Sequence, residues 1–598
     1  MDKISADLKG ADFNKRLVWK TNEGFDVMPF YRREDLESLN FVDSFRSLFM
    51  RGDAVNSWLV RQDITVTDYS EANQKALSIL SKGIDSLGFI IADPESVNEL
   101  NFTSLLRGIN PECTEINFIS AGKAREIISL FQKISERNRF DKSLLRGTVE
   151  ADPLGRLMIN GTLCIPAEEG FDYLASLFRD TLHLPHYRCL QINGSNFTNA
   201  GSHSVQELAF SLSMAVEYLS QLTERGIKAD EIAKKTRFSF GTGSNYFMEI
   251  ARLRAVRLLW SLIAEAYKPA DRNPFRMEMH CVTSKWSTTV YDPYVNMLRS
   301  QTQAMSAVLG GTDSLTVNPF DIAFRRPGEF GERIARNQQL ILKNEAHFDK
   351  VADPASGSYY IEKLTSLVAE NSWKLFLEIE EEGGFLASLK SGLIQSRLAG
   401  SVVRRESDIS KRKEIILGTN LFPNPEEKFS AVENDLPESA GVSTGNLILE
   451  PLKLSRGSAG FEKIRMAVDN VPRRPVVFLL TIGNLVMRRA RAQFSTGFFG
   501  CAGYKVLDSD GYSTVDEGID TALKSEADIV VVCSSDEEYH LYVPLILKRL
   551  QGRSIVVVAG NPPDIEQLKS FGLENFISIK SDVLESLKYF NDCLGIGK

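Results

Sequence analysis

RRPVVFLLTIGNLVMRRARAQF, residues 473–494, decides the fold of the last part of this chain. PVVFLLT is an unbroken apolar run rich in β-branched residues, as expected of a strand buried on both faces. The turn Gly483-Asn484-Leu485-Val486 follows, and the helical pattern runs from Met487. Outward from it the unit repeats. Strands PVVFLLT, YKVLD, DIVVVCS, SIVVVAG and NFISI alternate with helices that begin at Met487, Thr514, Glu538, Ile565 and Asp582. Strands joined by helical crossovers must be parallel, and five of them in residues 472–598 predict a flavodoxin-like, doubly wound domain. Its ligand position would be the switch point, where Gly483–Met487 faces Cys533-Ser534-Ser535-Asp536.

Residues 70–400 show the same alternation on a larger scale. SLGFIIAD (86–93), EINFISAG (115–122), RCLQINGS (188–195), RFSFG (237–241), MHCVTS (279–284), DSLTV (313–317) and KVADP (350–354) read as strands. Long amphipathic helices separate them, among them SVQELAFSLSMAVEYLSQL (204–222) and YFMEIARLRAVRLLWSLIAEAY (246–267). So many βα units favour a (β/α)8 TIM barrel over an open sheet. Residues 1–69 read as an irregular arm whose Phe30, Tyr31, Phe41, Phe45 and Phe49 need a surface to lie on, its own core or a partner chain. Residues 401–471 are a polar linker rich in Gly, Pro and Ser, with the charge run RRESDISKRKE.

A chain of 598 residues exceeds one ordinary core at roughly 100–200 residues per domain. The formal net charge of −8 gives no general attraction to nucleic acid or anionic membrane. The 7 scattered cysteines argue for free thiols. The opening residues MDKISADLKG show no apolar core of the signal-peptide kind, and no run approaches the ~20 apolar residues of a membrane span. A cytoplasmic location is expected.

The chemistry-bearing residues are sparse. His183, His186 and Cys189 are metal-ligating types at a spacing of three, but Pro185 keeps them off a common helix face. The alternative is a loop entering a strand. Ser534-Ser535-Asp536-Glu537-Glu538 could be a carboxylate cluster for a metal, or a helix start with capping hydroxyls and dipole-matched acids. GTGSN (241–245) could hold a phosphate or be a tight turn with Asn245 as N-cap. The barrel strand ends offer Asn196, Thr198, Thr242, Ser244, Ser284 and Lys285, a thin set for acid–base work.

RIARNQQLILKNEAHFDKVADPASGSYYIEKLT (333–365), HCVTSKWSTTVYDPYVNMLR (280–299) and FGTGSNYFMEIARLRAVRLLW (240–260) resemble the methylmalonyl-CoA mutase family. The resemblance runs from the arm to the C-terminus. It implies an acyl-CoA-threading barrel followed by a cobalamin-binding-type domain, with adenosylcobalamin supplying the radical that interconverts succinyl-CoA and methylmalonyl-CoA.

The family's site residues do not carry over. Where catalytic members read Y-H-M-Q-E-A-G, this chain has Ser195-Asn196-Phe197-Thr198-Asn199-Ala200-Gly201, with Asn196 at the His position. Val282 and Lys285 replace Gln and Gly of H-C-Q-T-S-G, and Met50–Asp63 lacks the Tyr of T-M-Y. The cobalt-binding D-x-H-x-x-G is missing between Pro475 and Cys501, Asp536 follows the paired serines in place of Leu, and Ala559-Gly560 replaces a Gly-Gly pair. This combination is similar to the small, or beta, subunits of the family's bacterial heterodimers. It implies no catalytic, cofactor-binding or metal-binding residue in this chain, and adenosylcobalamin held by a large (alpha) partner subunit that the arm would wrap. The alternatives are a divergent acyl-CoA mutase or acyl-CoA-binding barrel that uses Lys285 and Asn196, and a chaperone or regulator of a mutase.

Overall fold

The computed structural model describes residues 2–37, 39, 55–120, 122–267, 275–429 and 447–597. Phe41, Phe45 and Phe49 of the arm, and the beginning of the Met50–Asp63 stretch, lie outside these.

Eight parallel strands close into a barrel in sequence order. They are β1 (Leu59–Val66), β2 (Ser86–Ile91), β3 (Glu115–Ile119), β4 (Gly147–Ala151), β5 (Tyr187–Asn193), β6 (Thr236–Thr242), β7 (Met279–Thr283) and β8 (Ser314–Thr316). β8 pairs with both β7 and β1, which completes the ring. The sequence marks β2, β3 and β5–β8 by their apolar runs. β1 lies ahead of the boundary expected at residue 70. Its alternation is diluted by Arg61 and Asp63, which sit beside Gly88 of β2. β4 (GTVEA) is short and carries a charge. KVADP, expected as a strand, is a loop in which Asp353 takes a left-handed φ of 41° and bonds Arg254.

The wall outside the barrel includes α1 (Ser204–Glu224), α2 (Tyr246–Ala266) and α3 (Tyr359–Glu381). Leu208, Leu212, Ala215, Leu219 and Leu222 of α1 are buried at helical spacing. Buried Arg252 of α2 bonds Glu207 of α1 (2.5 Å), pinning the two helices together. The described arm folds back on its own chain. Trp19–Lys20 pairs with Asp26–Val27, Val27 is buried, and Tyr31 meets Tyr360 at 5.8 Å between ring centroids.

α4 (Leu393–Ser410) carries the chain across the expected linker boundary, and α5 (Ala459–Asp469) ends that segment. Neither is a loose tether. Ile409, Phe461, Ile464 and Val468 join the core of the second unit, together with Trp286 from the barrel. The second unit is a parallel sheet of β9 (Val476–Thr481), β10 (Lys505–Leu507), β11 (Ile529–Cys533), β12 (Ile555–Ala559) and β13 (Asn575–Ile577). Its order, β10-β9-β11-β12-β13, reverses direction between β9 and β11. That reversal is the switch point of doubly wound sheets. The surrounding helices include α6 (Leu485–Gly500) and α7 (Tyr539–Leu550). All six residues of β9 and all five of β11 are buried, as continuous apolar strands require. Among the described residues, no helix is long and apolar enough to cross a membrane.

Candidate functional site

In a TIM barrel, strand residues of one parity point at the axis. Here that face carries charge. Arg61 of β1 reaches Glu150 of β4 (Nη2 to Oε1, 3.4 Å) and also bonds Asp63 (2.7 Å). Arg237 of β6 donates to Glu115 (2.8 Å) and Asn117 (2.7 Å) of β3. Both links join strands three places apart in a ring of eight, so they cross the interior. Arg237 also bonds Glu278, just ahead of β7, and Glu278 pairs with Arg188 of β5. Ser86 and Asn117 bond Glu115, and His280 Nδ1 lies 2.8 Å from Ser314 Oγ. Arg61, Arg237, Asn117 and His280 are all buried.

The electrostatics follow from this crowding. Burial pushes the Glu150 carboxyl up to about 7, with Arg61 opposing and Asp63 reinforcing the rise. Burial would raise Glu115 too, but the charge and hydrogen bonds of Arg237 bring it down to about 2. Burial, with Arg61 and Arg237 nearby, holds His280 well below the usual imidazole range and keeps it neutral.

The C-terminal ends of the strands, where barrel enzymes place their chemistry, carry two cavities. One, of about 670 Å³, is walled by Ile119, Ala151, Ile159 and Leu163 and touched by Glu150 and Asn196. The other, of about 610 Å³, lies under the arm's Trp19 and Glu23 and is lined by Thr198, His203, Ser244, Ser284 and Arg405. The strand-end residues are thus divided. Asn196 lines the first cavity, and Thr198, Ser244 and Ser284 the second. Thr242 is buried. Lys285 is exposed, its backbone N–H bonded to Asn199 Oδ1. Burial, aided by Arg405 and Arg404, pushes His203 down to about 3, so the ring is uncharged at neutral pH and is not poised as an imidazolium acid.

At the switch point Gly483 takes a left-handed φ of 77°. Asn484 Oδ1 caps α6 by accepting from the N–H groups of Val486 and Met487. Leu485 and Val486 are exposed. The facing position is filled by Glu538. Its Oε2 accepts from Asn484 N–H (3.1 Å), Ser534 Oγ (2.6 Å) and Ser535 Oγ (2.8 Å). These bonds outweigh the effect of burial and hold Glu538 down at about 2. The paired serines, read as caps, donate to Glu538 instead. Asp536 bonds Arg491 (3.0 Å) and lies against Gly560.

Cys189 of β5 is buried, Thr181 Oγ1 points at its sulfur, and burial pushes its thiol up to about 12. His183 and His186 stay on the loop ahead of β5. Among the described residues, no three His, Cys, Asp or Glu side chains converge as a metal site would need. Asn245 does start α2, without a side-chain capping bond. The residues that sequence reasoning passes over are Arg61, Glu115, Glu150 and Arg237. Charged residues in otherwise strand-like runs were the one available signal.

The methylmalonyl-CoA mutase family model matches residues 94–459. The chain is 45% identical to the methylmalonyl-CoA mutase small subunit of Porphyromonas gingivalis (strain ATCC BAA-308 / W83), over 100% of this chain and 97% of that protein. It is 30% identical to the methylmalonyl-CoA mutase small subunit of Streptomyces virginiae, over 93% and 90%. Against the methylmalonyl-CoA mutase of Rhizobium meliloti (strain 1021) it is 32% identical, over 76% and 67%.

Proposed function

The chain belongs to the methylmalonyl-CoA mutase family, and we propose that it serves there as a non-catalytic small subunit, working in complex with a large subunit that holds both substrate and cofactor. The observation that carries this reading is the crossing of the barrel axis by Arg61–Glu150 and Arg237–Glu115. An acyl-CoA could follow that axis only by breaking charge-assisted bonds and leaving buried ions unpaired, which costs several kcal/mol per ion.

The second unit supports the same reading. A cobalt ligand at the switch point needs an imidazole oriented by a carboxylate. The turn offers an asparagine that already caps α6, then two exposed apolar side chains, and the facing crevice holds the Glu538 carboxylate. These residues do not fit adenosylcobalamin. In this reading the cofactor belongs to the large subunit, and the complex interconverts succinyl-CoA and methylmalonyl-CoA.

Co-expression with a large subunit, followed by sizing and a cobalt count, tests the proposal. A stable one-to-one complex with one corrinoid is expected. Two corrinoids per pair, or a red, cobalt-containing protein when this chain is purified alone, would contradict it.

A further inference from the structure

The loop ahead of β5 holds a cation through its backbone, not through His183 and His186. It leaves the helix Ala167–Asp180 at Thr181. Two successive turns follow, closed by Leu184 N–H on Thr181 O (3.0 Å) and by Tyr187 N–H on Leu184 O (3.1 Å). Residues three apart in turns of this kind eclipse one another, so their carbonyls share a side of the chain. Those of Thr181, Leu184 and Tyr187 converge on one atom, Lys235 Nζ, at 2.8, 3.0 and 3.0 Å.

An ammonium has three N–H donors, and these three oxygens take all of them. Lys235 is buried, and among the described residues no carboxylate lies within ion-pair distance of it. Buried lysines without an acidic partner are rare, because the charge has lost its water. Burial accordingly draws the Lys235 amine down from its ordinary range. The carbonyls are what replaces the water, and they are held in place by bonds of their own. Thr181 Oγ1 donates to Leu177 O (3.0 Å), Tyr187 Oη donates to Ile116 O (2.8 Å), and Leu184 is buried. The spacing of 2.8–3.0 Å is too wide for divalent ions, since calcium sits roughly 2.3–2.6 Å and magnesium about 2.0–2.1 Å from its oxygens. It suits a monovalent ion that trades its hydration shell for carbonyls, as potassium does.

The cage stands where β5 lacks other support. Pairing of β4 with β5 slips between Thr148 and Ala151, and pairing of β5 with β6 begins only at Leu190. Lys235 spans this gap from the residue just ahead of β6. Its own carbonyl accepts from the N–H groups of Cys189 (3.1 Å) and Leu190 (3.2 Å), while its side chain grips the turns that end at Tyr187. Arg188, between the two grips, pairs with Glu278, which also bonds Arg237 of the barrel interior.

We propose that the carbonyls of Thr181, Leu184 and Tyr187 form a site for one monovalent cation of ammonium or potassium size, that Lys235 is its tethered occupant, and that filling the site fixes the entry of β5. The site is independent of the subunit role.

Refolding of the full Lys235→Ala chain from urea tests it, in matched concentrations of ammonium, potassium and tetramethylammonium chloride. Truncation removes the tethered charge and leaves room for a free ion. Ammonium or potassium should then raise the urea midpoint saturably. At tenfold above its dissociation constant the ion should shift the folding equilibrium about elevenfold. Tetramethylammonium is too large for the cage and should act only as salt. Lys235→Met refills the space of the stem without charge, so it should lose stability and gain none from ammonium. The unaltered chain, its site already filled, should not respond either. An ammonium or potassium effect no larger than that of tetramethylammonium, the same effect in Lys235→Met or in the unaltered chain, or a Lys235→Ala chain as stable as the unaltered one would overturn the assignment. So would a Lys235→Ala chain that refolds in none of the three salts.

Discussion

Arg61 on the first barrel strand reaches Glu150 on the fourth, 3.4 Å away across the interior. Arg61 is buried, and Asp63 is its second partner at 2.7 Å. Removing the cation alone therefore leaves Asp63 without its partner and pushes the buried Glu150 carboxyl further toward its neutral form. Arg61→Met should destabilise the chain by ~3–5 kcal/mol, the usual cost of breaking a buried ion pair from one side. The triple variant Arg61→Met, Asp63→Asn, Glu150→Gln removes the whole charge set and should recover most of that loss. Urea midpoints of both variants check the pair. A triple variant no more stable than the single one would mean that packing around Arg61, not charge, is what matters.

Glu150 and Glu115 should give opposite pH signatures. Glu150 is raised from 4.5 to about 7 in the folded chain. Its contribution is thus fully present below pH 4.5 and is lost as pH rises through 7. Relative to Glu150→Gln, the unaltered chain should lose up to ~3 kcal/mol over that window. Glu115 is lowered to about 2, so its advantage over Glu115→Gln is present above pH 4.5 and is lost as pH falls toward 2. Chemical denaturation at pH 4.5, 5.5, 6.5 and 7.5 tests the first claim. A flat difference between chain and Glu150→Gln would contradict it.

Much of the architecture is legible because burial on both faces writes itself as apolar runs. VVFLLT, IVVVC and IVVVA could be little else but central strands, and each is one. The barrel is harder where its inner face is polar. LVRQDITV breaks its own alternation, because Arg61 and Asp63 point at the axis and answer to residues far off in sequence. Arg61 meets Glu150 across 89 positions and Arg237 meets Glu115 across 122. No local pattern records such a pairing. The switch point shows the same limit. Its lack of His and Asp can be read directly, but nothing in SSDEE says that the last acid, not the serines, is the hub of the bonds there.

Tyr291 is one of several contacts that join the barrel to the second unit, beside the Val290 N–H bond to Glu462 (2.8 Å) and the Trp286 ring in the second core. Its hydroxyl donates to Asp469 of α5 (2.8 Å), and the Arg465 guanidinium lies 4.1 Å over its ring. Tyr291→Phe keeps the ring and loses the bond to a carboxylate, so a cost of about 1.5–3 kcal/mol is expected. Tyr291→Ala also removes the cation–π contact and should weaken the coupling of the two units, broadening the calorimetric transition relative to Tyr291→Phe. A sharp, merely shifted transition in Tyr291→Ala would place the coupling in the other junction contacts, Trp286 and Val290–Glu462 among them.

Gly483 and Glu538 should behave as one device. An alanine at 483 must hold a φ of 77°, worth ~1–2 kcal/mol for any residue with a Cβ. That Cβ would also lie 2.3 Å from Glu538 Oε2. Glu538 must then move, and Asn484 N–H, Ser534 Oγ and Ser535 Oγ lose their shared acceptor. Gly483→Ala should therefore cost more than the dihedral alone, on the order of 3 kcal/mol in total. In a Glu538→Ala background the clash and the shared acceptor are already gone, and only the dihedral cost should remain. The two substitutions are thus expected to be less damaging together than the sum of each alone, with a coupling of about 1 kcal/mol or more in a double-mutant cycle. Strict additivity would mean that Glu538 does not occupy the crevice beside Gly483, which would leave that crevice open to a ligand.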